Sequence, residues 1–167
     1  MFGIDLSPGM ITAASELCPD ITFQQGDMYG LACAGGSLVA IVAWYSLIHI
    51  PRDDVGAVLI ELRRVLREDG LLFLAFHIGE ESVSVHEWWG KQVDVEFMFF
   101  GVEEMEQSLR SAGFEIEQTV TRDPYDGVEH PTRRAYILAR KTCVPSLING
   151  KGAAETPGRP LMKPSVS

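Results

Sequence analysis

The chain has little positive charge, few cysteines and no long apolar run. Fourteen Lys and Arg stand against 23 Asp and Glu, a formal net charge of −9. Phosphate contacts need a basic footprint, so this balance argues against a general nucleic-acid binder, although a local basic groove stays open. The three cysteines, Cys18, Cys33 and Cys143, are odd in number and lack metal-type spacing. Reduced thiols in a cytoplasmic protein are the expectation. The longest apolar run, residues 38–45, is far too short to span a bilayer. The N-terminus shows no basic stretch followed by an apolar segment and a cleavage site, so no secretory signal is evident. No internal repeat is visible.

What is present points to one folded domain with a short extension. The chain has 167 residues, 46% of them hydrophobic and 22% charged, which suits a soluble globular protein with a real core. Its organising stretch is residues 2–10. Phe2, Ile4 and Leu6 read as a buried strand end, and Asp5 comes where that strand runs out. Ser7 is placed to cap a helix, and Pro8 suits the first helical position because it has no N–H to waste. A carboxylate at a strand end in an open α/β sheet can accept hydrogen bonds from two adjacent hydroxyls of a ribose. A plain solvated turn residue is the competing reading of Asp5.

The remaining elements follow in order. Residues 8–17 read as a helix with Met10, Ile11, Ala14 and Leu17 on one face. Residues 21–25 read as a short strand that closes on Gly26-Asp27-Met28, a second acid at a second strand end. Residues 29–37 read as a loop or ragged helix. Residues 38–43 form an apolar run suited to a central parallel strand covered on both faces. Trp44, Tyr45, Ser46 and His49 follow on the side where α/β sheets bind ligands. Residues 51–67 read as the strongest helix, with Val55, Val58, Leu59, Leu62, Val65 and Leu66 on one face and Gly70 as its stop. Residues 71–76 are another apolar strand, completing a strand–helix–strand unit of a parallel sheet.

Residues 79–94 have no clean period and hold His86, Trp88 and Trp89. They read either as a substrate lid or as an irregular loop with packed tryptophans. Residues 95–100 are apolar and suited to local pairing. Residues 101–112 read as a helix ended by Gly113. Residues 114–120 alternate, which suggests a strand nearer the sheet edge. Residues 122–131 are turn-rich, and residues 134–139 read as a last strand. Residues 142–167 are rich in Pro, Gly and Ser without periodicity, and a disordered tail after a domain of residues 1–141 is expected.

Several of these segments resemble class I S-adenosylmethionine-dependent methyltransferases. The resemblance rests on Gly-Ile-Asp-Leu-Ser-Pro at 3–8, Gly-Asp-Met at 26–28 and Ala-Trp-Tyr-Ser-Leu-Ile-His at 43–49. It continues in Leu-Arg-Arg-Val-Leu-Arg-Glu-Asp-Gly at 62–70 and Ala-Gly-Phe at 112–114. The order and spacing of these motifs cover residues 1–140, and the Trp44-Tyr45-Ser46 version is similar to bacterial small-molecule enzymes. The resemblance implies a Rossmann-like α/β fold with a mostly parallel sheet and an antiparallel C-terminal strand. It implies S-adenosylmethionine as cofactor, S-adenosylhomocysteine as product and a small-molecule methyl acceptor, with no nucleic-acid or membrane partner. By the same resemblance Asp5 binds the ribose hydroxyls, Asp27 accepts the adenine amine, the Met28 backbone N–H meets a ring nitrogen, and Leu6 is counted with them as cofactor-binding. Ala43, Trp44 and Tyr45 approach the methionine part, and Tyr45 and His49 line the substrate side.

A general base is needed only if the acceptor must lose a proton. His49, His77 and His86 qualify by residue type, and Tyr45, His49 and His86 are carried as weak catalytic candidates, although a packed or solvated histidine is the simpler reading of each.

The resemblance also implies a strand, a Gly-rich turn and a helix before the strand ending in Asp5, and this chain has none of them. A start inside a longer gene or a degenerate fragment is therefore expected, with weak stability, little activity, and a homodimer through open sheet edges. Two competing functions stay open: a non-catalytic interaction module, and a nicotinamide-dependent oxidoreductase, which also sets an acid at the second strand end.

Overall fold

The computed structural model describes residues 1–88 and 90–142. Its elements are β1 (Phe2–Asp5), α1 (Pro8–Leu17), β2 (Thr22–Gln25), β3 (Leu38–Trp44), α2 (Val55–Val65), β4 (Leu66–His77), β5 (Ser82–Trp88), β6 (Lys91–Met98), α3 (Val102–Ser111), β7 (Phe114–Arg122) and β8 (Arg134–Lys141). Short 3-10 turns at Leu47–His49 and Arg52–Asp54 lead from β3 into α2. Among the described residues no helix is long and apolar enough to cross a membrane.

Among the described residues the strands form three sheets. β1 and β2 pair in parallel, with Asp5 opposite Gln25. β3, β4, β8 and β7 form a four-stranded sheet in that order. β3 runs parallel to β4, and β8 is antiparallel to both its neighbours. The expected antiparallel C-terminal strand is thus inserted between β4 and β7, and β7 takes the sheet edge that its alternation suggested. β5 and β6 make a separate hairpin.

One face of the four-stranded sheet carries the core. Val58, Leu59 and Leu62 of α2 and Met105 and Leu109 of α3 bury against Leu72, Leu74 and Phe76 of β4 and Ile137 of β8. Each such side chain contributes about 1.5–3 kcal/mol on burial. Two cations, the buried Lys141 and the half-buried Arg63, tie the strand ends. Lys141 Nζ donates to Leu66 O at 2.8 Å and pairs with Glu68, while Arg63 donates to Gly113 O and Thr142 O. Gly113 has φ +85°, a backbone conformation that favours glycine, and a Cβ there would sit 2.7 Å from Arg63 Nε and displace that side chain.

Several readings of the sequence need correction. The β1 end is not buried: Leu6 is 66% exposed and Phe2 is also exposed, and among the described residues β2 and α1 are the main elements packed on this strand. The helix at 8–17 forms, with Ser7 Oγ accepting from Met10 N, but none of its residues is buried. β3 is an edge strand, not a covered central one. Val42 and Trp44 are 66% and 56% exposed on the face opposite the helices. The helix at 51–67 is shorter at both ends. It ends at Val65, where Leu66 turns extended and enters β4, so Gly70 is a buried strand residue after Asp69 (φ 60°) and not a helix stop. Residues 79–94 are no irregular loop, since most of them build the β5–β6 hairpin, which pairs Val85 with Val95. Trp89 lies outside the described residues. So do residues 143–167, on which the tail expectation falls. Thr142, its first residue, still bonds to Gly113 O through N and Oγ1.

Candidate functional site

The two acids flagged at strand ends are brought to one edge by the parallel register. Gly26 N donates to Asp5 O at 3.0 Å, extending the β1–β2 ladder so that Asp27 follows two positions after Gln25. Each carboxylate closes a local turn with one oxygen. Asp5 Oδ1 accepts from Ser7 N at 2.8 Å, and Asp27 Oδ1 accepts from Tyr29 N at 3.0 Å. Both side chains are exposed. A short acid that uses one oxygen to fix its own turn presents the other oxygen outward in a defined direction. This donor-seeking pair fits a diol and an exocyclic amine. Leu6 is exposed and Met28 half-buried beside them.

The segment after Asp27 is clamped to α2. Tyr29 Oη donates to Asp54 Oδ2 at 2.9 Å, and Leu31 N donates to Glu61 Oε1 at 2.7 Å. Arg64 pairs with Glu61 and donates to Leu31 O and Cys33 O, each at 3.0 Å. The Arg64 guanidinium holds the Glu61 carboxyl below its usual range.

At the C-terminal end of β3, Ala43 is buried and Trp44 lies on the opposite face, stacked 6.0 Å from Phe73 and tilted against Tyr136 at 5.7 Å. Tyr45 follows with φ 52°, a left-handed conformation that a bulky residue rarely takes and that marks a constrained site. Its N–H is held by Ala75 O at 2.9 Å. Burial and the neighbouring Tyr136 hydroxyl push the Tyr45 phenol up to about 12.

Beside Tyr45 lies a cavity of about 330 Å³ lined by His77, Val83, Val85, Phe97, Phe99 and His130. The β5–β6 hairpin supplies its apolar wall. β4 delivers His77, whose ring is 4.9 Å from Tyr45 and 5.6 Å from Phe99. Burial, aided by the positive Arg134, lowers His77 to about 4, so its imidazole is neutral near pH 7. His77 Nδ1 lies 2.8 Å from Thr132 Oγ1, which lies 3.3 Å from His130 Nδ1. The buried Arg134 fixes this corner by donating to His130 O and Thr132 O and pairing with Glu129. A second, more polar cleft of about 500 Å³, lined by Glu80, Glu103 and Arg133 among others, includes none of the strand-end aromatics.

The remaining histidine candidates lie elsewhere. His49 is exposed, with its ring 5.1 Å from Phe97. His86 is on the hairpin, 75% exposed and 3.6 Å from Asp94, and does not line the cavity. His130, Thr132 and Tyr136 were not singled out from sequence. They come from the turn-rich loop and from β8, far along the chain, with no motif around them.

With this geometry in place, residues 1–70 match the family described as methyltransferase domain. Solved structures share the fold. A methyltransferase of Methanosarcina mazei superposes with a TM-score of 0.74 at 16% identity, over 84% of this chain and 81% of that one. One from Mesorhizobium loti gives 0.64 at 18% identity, over 84% and 79%. The fold is that of the class I S-adenosylmethionine-dependent methyltransferases. A third structure with it, at 0.63 and 18% identity over 84% and 60%, is the 1,6-didemethyltoxoflavin-N1-methyltransferase of Burkholderia thailandensis, solved with 1,6-didemethyltoxoflavin and S-adenosylhomocysteine bound. No curated protein sequence matches the chain. Relative to the resemblance, the methyltransferase sheet is split here. β1 and β3 share no ladder, and the described residues place no strand between them.

Proposed function

We propose that this chain transfers a methyl group from S-adenosylmethionine to a small-molecule acceptor held in the cavity between His77 and the β5–β6 hairpin. The observation that carries the reading is the placement of that apolar cavity against the C-terminal ends of β3 and β4, where Tyr45 and His77 meet. Asp5 and Leu6 would hold the ribose, Asp27 and Met28 the adenine, and the backbone of Ala43, Trp44 and Tyr45 the methionine part. The bound cofactor supplies a sulfonium-activated methyl group. The chain's own task is to align the acceptor and exclude water. Val83, Val85, Phe97 and Phe99 serve that task by giving the acceptor a dry wall on one side. The binding of both a small molecule and S-adenosylhomocysteine by the Burkholderia enzyme of the same fold supports the reading.

Calorimetry with S-adenosylhomocysteine tests it. Micromolar or tighter binding is expected, with Asp5→Ala and Asp27→Ala each costing about 1.5–3 kcal/mol, the range for hydrogen bonds to a charged group. Unchanged affinity in both variants would remove the ribose and adenine assignments. A second reading, a non-catalytic interaction module, is favoured by the split sheet and the exposed Val42 and Trp44 on β3. Absence of cofactor binding selects it.

A further inference from the structure

We propose that His77, Thr132 and His130 form a proton path from the acceptor cavity to solvent, and that the acceptor is a flat, neutral molecule methylated on a phenol-type hydroxyl. The inference rests on the methyl-transfer reading and specifies its substrate class.

The path follows from the bonding capacity of one hydroxyl. Thr132 Oγ1 lies within hydrogen-bond distance of Nδ1 of both rings, at 2.8 Å from His77 and 3.3 Å from His130. It carries a single proton, so it donates to one ring and accepts from the other. When both rings are neutral, one Nδ1 bears a proton and the other does not, and their Nε2 atoms are therefore opposite in kind. In the arrangement competent for catalysis His77 Nδ1–H donates to Thr132, whose hydroxyl donates to His130 Nδ1. His77 Nε2 is then a free acceptor, and His130 Nε2 carries a proton. His77 is half-buried and His130 exposed, both line the cavity, and their rings are 6.2 Å apart. The direction from cavity to solvent is thus built in.

The step balances. The acceptor's O–H bond breaks and its proton goes to His77 Nε2. The His77 Nδ1 proton passes to Thr132 Oγ1, the Thr132 proton passes to His130 Nδ1, and the His130 Nε2 proton leaves to water. The electron pair freed on the acceptor oxygen forms the new O–CH3 bond as the S–CH3 bond breaks, leaving a neutral thioether. Both rings end neutral with their tautomers exchanged.

The cavity selects the class. Two valines and two phenylalanines make its wall, which disfavours a charged acceptor and suits a ring. Its volume of about 330 Å³ is near the lower end for small-molecule sites. A phenol titrates near 10 and keeps its proton at neutral pH, so its methylation needs an outlet for that proton, whereas an acceptor already ionised needs none. The groups around His77 agree with a neutral imidazole. Arg134 and His130 oppose a charge on it, Glu129 is taken up by Arg122 and Arg134, and Tyr45 is an un-ionised ring.

The full chain is titrated with 2-naphthol and with 2-methoxynaphthalene, the same ring without the proton, and its histidines are read by 15N NMR at pH 7. The expected results are an Nδ1–H tautomer at His77 and about tenfold tighter binding of the naphthol, the worth of one good hydrogen bond. His77→Leu should bring that ratio near one, and Thr132→Val should lower it and release the His77 tautomer. An Nε2–H tautomer at His77 in the unaltered chain, or equal binding of the two probes, overturns the path without needing any variant to fold. S-adenosylhomocysteine binding with equal probe affinities overturns the path and leaves methyl transfer standing. Failure to bind S-adenosylhomocysteine overturns the methyl-transfer reading, and with it the role given to the path.

Discussion

The phenolic oxygens of Tyr45 and Tyr136 lie 3.4 Å apart, joining a residue that follows β3 to one on β8 across the intervening β4. The Tyr136 hydroxyl also accepts from Arg122 Nε at 3.0 Å, and Arg122 is held in turn by both oxygens of Glu129. The chain of contacts ends at the loop carrying His130 and Thr132. The left-handed Tyr45 is thereby linked to the corner that shapes the cavity.

We infer that Tyr45 positions its neighbours rather than acting as a base. With its phenol pushed up to about 12, it stays protonated through the working range of an enzyme. Tyr45→Phe should remove the last step of the tyrosinate absorbance titration. Tyr136→Phe removes the acceptor of Arg122 Nε and should lower stability by about 0.5–1.5 kcal/mol. A urea midpoint for Tyr136→Phe equal to that of the unaltered chain would count against the linkage.

His77 makes stability depend on pH in a stated direction. Its folded-state value, about 4, lies below the unfolded value of 6.5. Between those limits the unfolded chain binds more protons, so stability rises with pH there. The contribution is fully present above about 6.5 and is lost as pH falls toward 4. Urea unfolding from pH 4 to 7 should show this slope, and His77→Gln should flatten it. A slope unchanged in His77→Gln would assign it to other groups.

The parts of this molecule that local chemistry determines were legible in the sequence. Ser7-Pro8 starts a helix, Gly113 ends one, and the apolar faces of α2 and α3 recur at helical steps. Asp5 and Asp27 fall at strand ends because turn-forming residues follow each strand. The hairpin was missed because its polar strands, with Ser82, Ser84, Glu87 and Gln92, lack the apolar run of a covered strand. The open edge of β3 was expected from the absent neighbouring strand, but its exposed face was missed for the opposite reason. Its Val-rich run matches a covered strand, yet nothing described covers one face or one edge. His130 and Thr132 were invisible because their loop takes its form from bonds that no motif announces, among them those of Arg134 to their two carbonyls.

The clamp on the loop after Asp27 should matter to cofactor binding without touching the cofactor. Glu61 accepts from Leu31 N and orients Arg64 toward Leu31 O and Cys33 O. Glu61→Ala should cost about 1.5–3 kcal/mol in stability and weaken S-adenosylhomocysteine binding severalfold. Isothermal titration checks the second effect. A stability loss with unchanged affinity would show that Asp27 is held by its own turn alone.

The last prediction concerns the open edge of β3. β4 has β3 on one side and β8 on the other, so all its central amides are paired. Among the described residues β3 has β4 on one side only, and alternate N–H groups of Leu38–Trp44 face away from that partner. An unpaired edge with exposed Val39 and Val42 is also a template for a second strand. The net charge of −9 opposes self-association at low salt, and salt screens it. Hydrogen exchange on the dilute chain in low salt should therefore show two classes of amide in β3, one protected like β4 and one exchanging like a loop. Raising the concentration and the salt should slow the second class if two copies pair at this edge, and Val42→Lys should abolish that slowing. Uniform protection of Leu38–Trp44 in a chain shown by light scattering to be monomeric would contradict the open edge.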